Sequence, residues 1–157
     1  MSFRIRGLSS EPFIPLFALD EDALAARGIQ RIVADEPGSA PCRINLEDAE
    51  PGERLLLLSH PHQPAATPFR QSGPIFVREG ARQAYDQVDA IPSAFARRTL
   101  SARGYDREGM MIEGSRAGIS PACSKPGWRG RRWTSSTSIT HGAAATPVWR
   151  SEPRAGL

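Results

Sequence analysis

The sequence predicts an α+β domain: a small antiparallel sheet carrying one or two helices, followed by an irregular or disordered C-terminal tail. Three observations predict it. Short stretches of alternating apolar and polar residues recur between turn-forming residues over positions 1–112. A capped helical segment stands among them. Beyond Ile112, hydrophobic period, charge balance and turn chemistry stop together, and the run WTSSTSITHGAAATPVW (133–149) has none of the three.

The elements follow in order. Phe3-Arg4-Ile5-Arg6 alternates and reads as a short strand. In ALDEDALAARG, Asp20 is placed to cap a helix, Glu21 and Asp22 lie in its first turn, and Gly28 stands where it would stop. Leu19, Ala23, Leu24 and Ala26 supply its buried side. Residues 29–34 read as a strand ended by Asp35-Glu36-Pro37-Gly38. Residues 42–46 alternate again, Glu50-Pro51-Gly52-Glu53 has Pro and Gly where a tight turn wants them, and 55–58 follow as a buried strand. That pairing reads as a hairpin. The Pro-rich stretch HPHQPAATPFRQSG reads as a loop into a strand over 74–78. Ser93 caps a second helix reaching Leu100, with Phe95 and Leu100 inward, and 109–112 form a last strand.

The 157 residues are the size of one domain. A net charge of +3 hides a division within the chain. Residues 1–112 carry 13 Arg against 15 Asp or Glu, while 113–157 carry 7 Lys or Arg against 2 Glu. The basicity belongs to the tail alone, so nucleic acid is not an expected partner. The N-terminus has no apolar stretch long enough for a secretory leader. The longest aliphatic run, Leu55 to Leu58, is far short of a membrane span, so no membrane partner is expected. Cys42 and Cys123 lie on opposite sides of the composition change, and reduced thiols in a cytoplasmic protein are the expectation.

Past Glu113, Gly, Ser, Ala, Thr, Pro and Arg dominate, and the tryptophans fall without period. Such a segment buries too little surface to offset its ordering entropy. The expected organisation is a single incomplete α+β domain over 1–112 and a low-complexity basic tail over 113–157.

The body resembles a bacterial family catalogued as a domain of unknown function (family 1203). The motifs PCR (41–43), EDAEPGERLLLL (47–58) and GPIFVRE (73–79) carry the resemblance together, and it runs from the N-terminus to the region around YDREGMMIE, over about residues 1–112. The resemblance implies a further helix, then a strand of His-x-His type and a Gly-Cys-Tyr-Ala turn. This chain departs there. Read one register over with suitably chosen GC-rich codons, Trp133 to Val148 can come out as DFIHIHHARRGCYAC, and Ser120 to Trp133 as ARLLEAWLARPEV, an amphipathic helix. The order of helix, strand and turn is then the family's. The tail therefore reads as out-of-frame translation from a shift near Ile112 to Ser115, or else as a natural low-complexity extension.

Three groups of residues could carry chemistry. His60-Pro61-His62 is the densest signal. Its imidazoles are expected on opposite faces of an extended stretch unless a turn at Pro61 brings them together. A metal would need Cys42 or a carboxylate such as Asp48 to approach, and the alternative is a pair of ordinary polar loop residues. Cys42 beside Arg43 is either a thiol with thiolate character or a buried, inert one. Arg70-Gln71-Ser72-Gly73 offers a guanidinium, an amide and a hydroxyl for a small anion, with Arg43 as a further candidate ligand, or is a solvated loop. Arg97-Arg98 reads as solvated helix-surface charge. No phosphate loop, catalytic triad or paired-carboxylate pattern is present, so the residues imply neither a reaction nor a cofactor.

Three functional readings follow. One is a small cytoplasmic domain binding a small molecule or metal in intact relatives. Another is a non-catalytic module docking a protein partner. The last is a chain without function, because its C-terminal helix and strand are missing. Each buried side chain lost with them removes ~1.5–3 kcal/mol, against a total stability of ~5–15 kcal/mol.

Overall fold

A computed structural model of the chain describes residues 3–96, 98–118, 137–141 and 143–144. They form an α+β fold of small antiparallel sheets and short helices. The strands are β1 (Arg4–Arg6), β2 (Gln30–Val33), β3 (Arg54–Gln63), β4 (Gln71–Arg78), β5 (Asp86–Val88), β6 (Thr99–Tyr105), β7 (Met111–Gly118), β8 (Thr137–His141) and β9 (Ala143–Ala144). A 3-10 turn (Ile14–Ala18), α1 (Glu21–Ala25) and α2 (Ser93–Ala96) complete the set. β1 pairs with β5, β3 lies between β2 and β4, and the remaining strands run in the order β7-β6-β8-β9.

Local chemistry sets α1 as the sequence predicts. Asp20 Oδ1 accepts the Ala23 N–H at 2.8 Å, satisfying a donor that the first helical turn leaves unpaired. Gly28 takes φ +67°, a left-handed conformation that ends the turn without a side-chain clash. Leu24 is fully buried, but Ala26 is exposed, because the helix has already ended at Ala25.

The main core lies on one face of the β2-β3-β4 sheet. There Leu56, Leu58, Ile75 and Val77 pack against Phe13, Leu24, Ile29, Cys42 and Ile44, with Leu16 and Phe17 at the margin. A second cluster joins Ile5, Leu46, Phe95 and Leu100. A third, on the opposite face of β3, gathers Leu55, Ala34, Ala40 and Ala49. Strand alternation lets β3 serve two clusters, since neighbouring residues face opposite ways.

The expected hairpin between 42–46 and 55–58 does not form. Leu46 takes φ +56° and the chain closes on itself, with the Cys42 N–H donating to Glu47 O at 2.8 Å and the Ala49 N–H to Ala40 O at 3.0 Å. The apolar alternation there belongs to a buried loop, held by backbone bonds on both sides. The Arg43 N–H donates to Phe76 O, Arg43 O accepts from the Leu8 N–H, and Ile44 O accepts from the Tyr85 N–H. β3 pairs instead with β2 and β4.

The second helix is also shorter than expected. It stops at Ala96, and Leu100 reaches the core from β6. Both β3 and β4 run into the stretch expected to be a loop, pairing His60 with Gly73 and Pro61 with Ser72. Pro61 is tolerated because β2 pairs with β3 only as far as Leu57, so beyond that residue the β2 side needs no N–H. β7 passes through Ile112 to Gly118, and β8 lies antiparallel to β6. Most of the expected irregular tail lies outside the described residues.

Gly7 marks the tightest backbone crossing. A Cβ at this position would lie 1.8 Å from Ile44 O, and neither chain can yield by changing a rotamer. Gly7→Ala should therefore destabilise the fold by ~2–3 kcal/mol, more than Gly28→Ala, whose Cβ would meet open space. Urea denaturation of the two variants checks this order.

Candidate functional site

The face of β3 that begins in the core ends in histidines. Leu56, Leu58, His60 and His62 follow one another at every second position, and Val77, Ile75 and Gly73 of β4 stand opposite the first three. The His60 ring tilts against Phe13 with centroids 6.1 Å apart, at the rim of the main core. Residues two apart on a strand share a face. The expectation of opposite faces is thus overturned: ordinary pleating, not a turn at Pro61, places both imidazoles on the same side.

Next to His62 the ladder slips. The register shifts between Pro61 and Gln63, a β-bulge that leaves both His62 and Gln63 buried. His62 is 6% exposed, and among the described residues neither of its ring nitrogens has a hydrogen-bond partner. Gly73 makes room beside it. A Cβ on Gly73 would touch His62 Cε1 and Nδ1 at 3.6 and 3.7 Å, so a longer side chain would occupy the space beside the ring. Burial, and then the neighbouring His62, hold the His60 imidazole below the usual histidine range, in its neutral form at pH 7. A neutral imidazole keeps a lone pair for a proton donor or a metal.

The other residues singled out in the sequence lie elsewhere. Cys42 is fully buried in the main core, where its Sγ accepts the Arg78 N–H at 3.4 Å. It contacts β4 at Phe76 and Arg78, roughly 10–17 Å along the strand from Gly73. It therefore cannot share a metal with His60 and His62. Among the described residues no three His, Cys, Asp or Glu side chains are grouped to hold one. Arg70 is exposed at the turn before β4, and Ser72 is exposed opposite Pro61, so neither converges with Arg43 on a common pocket.

Arg43 is 3% exposed and belongs to a charge cluster with the part-buried Arg98 and Asp48. Burial first, then the Arg98 charge, push its pKa down to about 10, against opposing pulls from Cys42 and Asp48. Arg98 is not the solvated helix-surface charge the sequence suggests. Its Nη1 donates to Ala94 O at 2.7 Å and lies 2.8 Å from Asp48 Oδ1, and its Nη2 donates to Gly38 O. Asp48 Oδ1 has no aligned hydrogen bond, so that contact is ionic. The cluster ties the buried loop to α2.

Sequence reasoning missed Gly73 and Phe13 as neighbours of the histidines. A glycine inside a strand signals close approach of another group, but Gly73 was assigned to a loop, where glycine carries no such meaning.

Fold and site together define a small α+β domain whose central ladder ends in a pair of histidines, His60 half-buried and His62 buried. The family model described as "Protein of unknown function (DUF1203)" matches residues 39–123, more than half of the chain, and the protein belongs to that family. The match begins and ends later than the 1–112 resemblance, and takes in the buried loop, β3 to β7 and the histidine pair. No curated protein and no solved structure matches the chain.

Asp48→Asn removes the carboxylate that faces the buried Arg43 and part-buried Arg98 guanidiniums. It should destabilise the fold by ~3–5 kcal/mol, read as a lower denaturation midpoint at pH 7.

Proposed function

We propose that the body of this chain is a small cytoplasmic binding domain, and that its site is the histidine end of the β3–β4 ladder. His62 carries the reading. An imidazole this deeply buried, with both nitrogens unpartnered among the described residues, costs ~1–3 kcal/mol for each unsatisfied group. Native folds keep such a group where a ligand or ordered water completes it. Gly73 supports the reading by leaving space beside the ring, and Arg70 places an exposed cation at the approach to β4. The residues present assign no reaction.

A second reading has its own observation. Met110, Met111 and Ile112 are exposed in succession where edge strand β7 begins, with Ile112 at 52%. An apolar run beside unpaired strand edges is a docking surface for a protein partner.

The third part of the proposal concerns the tail. Residues after the 112–115 junction are out-of-frame translation, and this chain lacks the closing helix and strand of intact relatives. The nucleotide sequence across those codons should show a one-base offset from relatives. An unbroken frame, with the peptide WTSSTSITHGAAATPVWR recovered from cells, would remove this part of the reading.

Titrating the 15N-labelled full chain with a library of small polar fragments separates the two binding readings. Shifts clustered at His60, His62 and Gln71 to Gly73 are expected. Shifts confined to Met110 to Ile112 would favour the interaction module, and an unperturbed His62 would sink the binding site.

A further inference from the structure

Resting on that site, we propose that its ligand is a single divalent d-block ion held by His60 and His62 as two adjacent nitrogen donors. Alternate residues on an extended strand lie about 6.6 Å apart and project from one face. Two imidazoles so placed can converge on one ion at metal–nitrogen distances of about 2.0–2.1 Å. The fold supplies what this chelate needs. Phe13 flanks the His60 ring, and Gly73 of β4 lies opposite His60 and beside the His62 ring. The bulge buries His62, and the position opposite His60 is a glycine.

An imidazole in its neutral form presents one lone pair to a metal, and His62 offers its ring at a position 6% exposed beside Gly73. Among the described residues neither ring nitrogen of His62 has a partner, an independent sign that something belongs at this place; the ion takes the lone-pair nitrogen and leaves the N–H to water or a second ligand. A hydrogen-bonding side chain would have filled that role in a purely structural histidine.

The donor set also says which ions. With two nitrogens and no neighbouring carboxylate or thiolate among the described residues, hard ions such as Mg2+ and Ca2+ have no oxygen cage. Imidazole suits Cu2+, Ni2+ and Zn2+, with Cu2+ the tightest of the three. The remaining coordination positions are open to water or to a second ligand. Cys42 plays no part, because it sits at the other end of β4.

The test is calorimetric titration of the chelator-treated full chain with Cu2+, Ni2+, Zn2+ and Mg2+. One site is expected, tightest for Cu2+ and absent for Mg2+. His60→Ala and His62→Ala should each weaken binding at least tenfold, while Cys42→Ala and His141→Ala should leave it unchanged. Gly73→Val keeps both imidazoles but fills the space beside His62, and should also weaken binding. It keeps the test informative if His62→Ala does not fold. The electron paramagnetic resonance spectrum of the Cu2+ complex should show coupling to two imidazole nitrogens.

No Cu2+ binding, binding that survives both histidine substitutions, or binding lost in His141→Ala would each overturn the proposal. Fragment shifts at His62 without metal binding would leave the site standing and refute only the ion. Absence of both would refute the site as well.

Discussion

The two-residue period of β3, kept from Leu55 to His62 and broken only at the bulge beyond it, is the constraint on which the rest of the structure depends. Leu56 and Leu58 must face the main core, because Phe13, Leu24 and Ile29 cover that side. Pleating then commits His60 and His62 to the same face whether or not apolar neighbours remain to cover them. The covering segment gives out at Phe13, which touches His60, and the column continues for one more residue, His62. The ladder thus outlasts its hydrophobic lid, and a polar site results where the two lengths differ. The opposite face of the strand has its own small cluster around Leu55, so β3 cannot rotate to hide the histidines without exposing that leucine.

A second constraint fixes the other end of the sheet. The loop from Ala40 to Ala49 is buried although it is neither helix nor strand, and its backbone groups must find partners within the fold. They do so against Leu8, Phe76 and Tyr85, three segments distant in sequence. Arg43 and Arg98 are the charged counterpart of this arrangement. Two guanidiniums set about one carboxylate are costly to bury, and the arrangement holds because Asp48 and two backbone carbonyls take up the charge and donors of Arg98. Gly7 belongs to the same crossing, since only a residue without a side chain can pass Ile44 O so closely.

How legible this was in the sequence depended on whether the deciding contact was local. Asp20 and Gly28 announce α1 by chemistry acting within one turn, and both positions hold. Turn residues at 50–53 mark the entry to β3 for the same reason. The loop at 42–46 has strand-like alternation, but its conformation follows from contacts with Leu8, Phe76 and Tyr85, none of which is near in sequence. His60 to Gly73 reads as loop because of its prolines, and becomes strand because β2 stops short of them. The histidine pair was visible as a motif, while its shared face follows from the ordinary pleat that a loop assignment obscured. Gly73 could have been found by the same route. Arg98 could not, because nothing local to it indicates Asp48 fifty residues earlier.

The histidine end of the ladder rests on one physical claim: His60 and His62 share one face of β3, beside Gly73. The direct measurement is a nuclear Overhauser experiment on the labelled full chain at neutral pH. Cross-peaks from the His62 ring to the Gly73 α-protons and the His60 ring, with the His60 ring also close to Phe13, are the result the account predicts. A His62 ring whose only contacts are with Ser59, Pro61 and Ser72 on the outer face would contradict it.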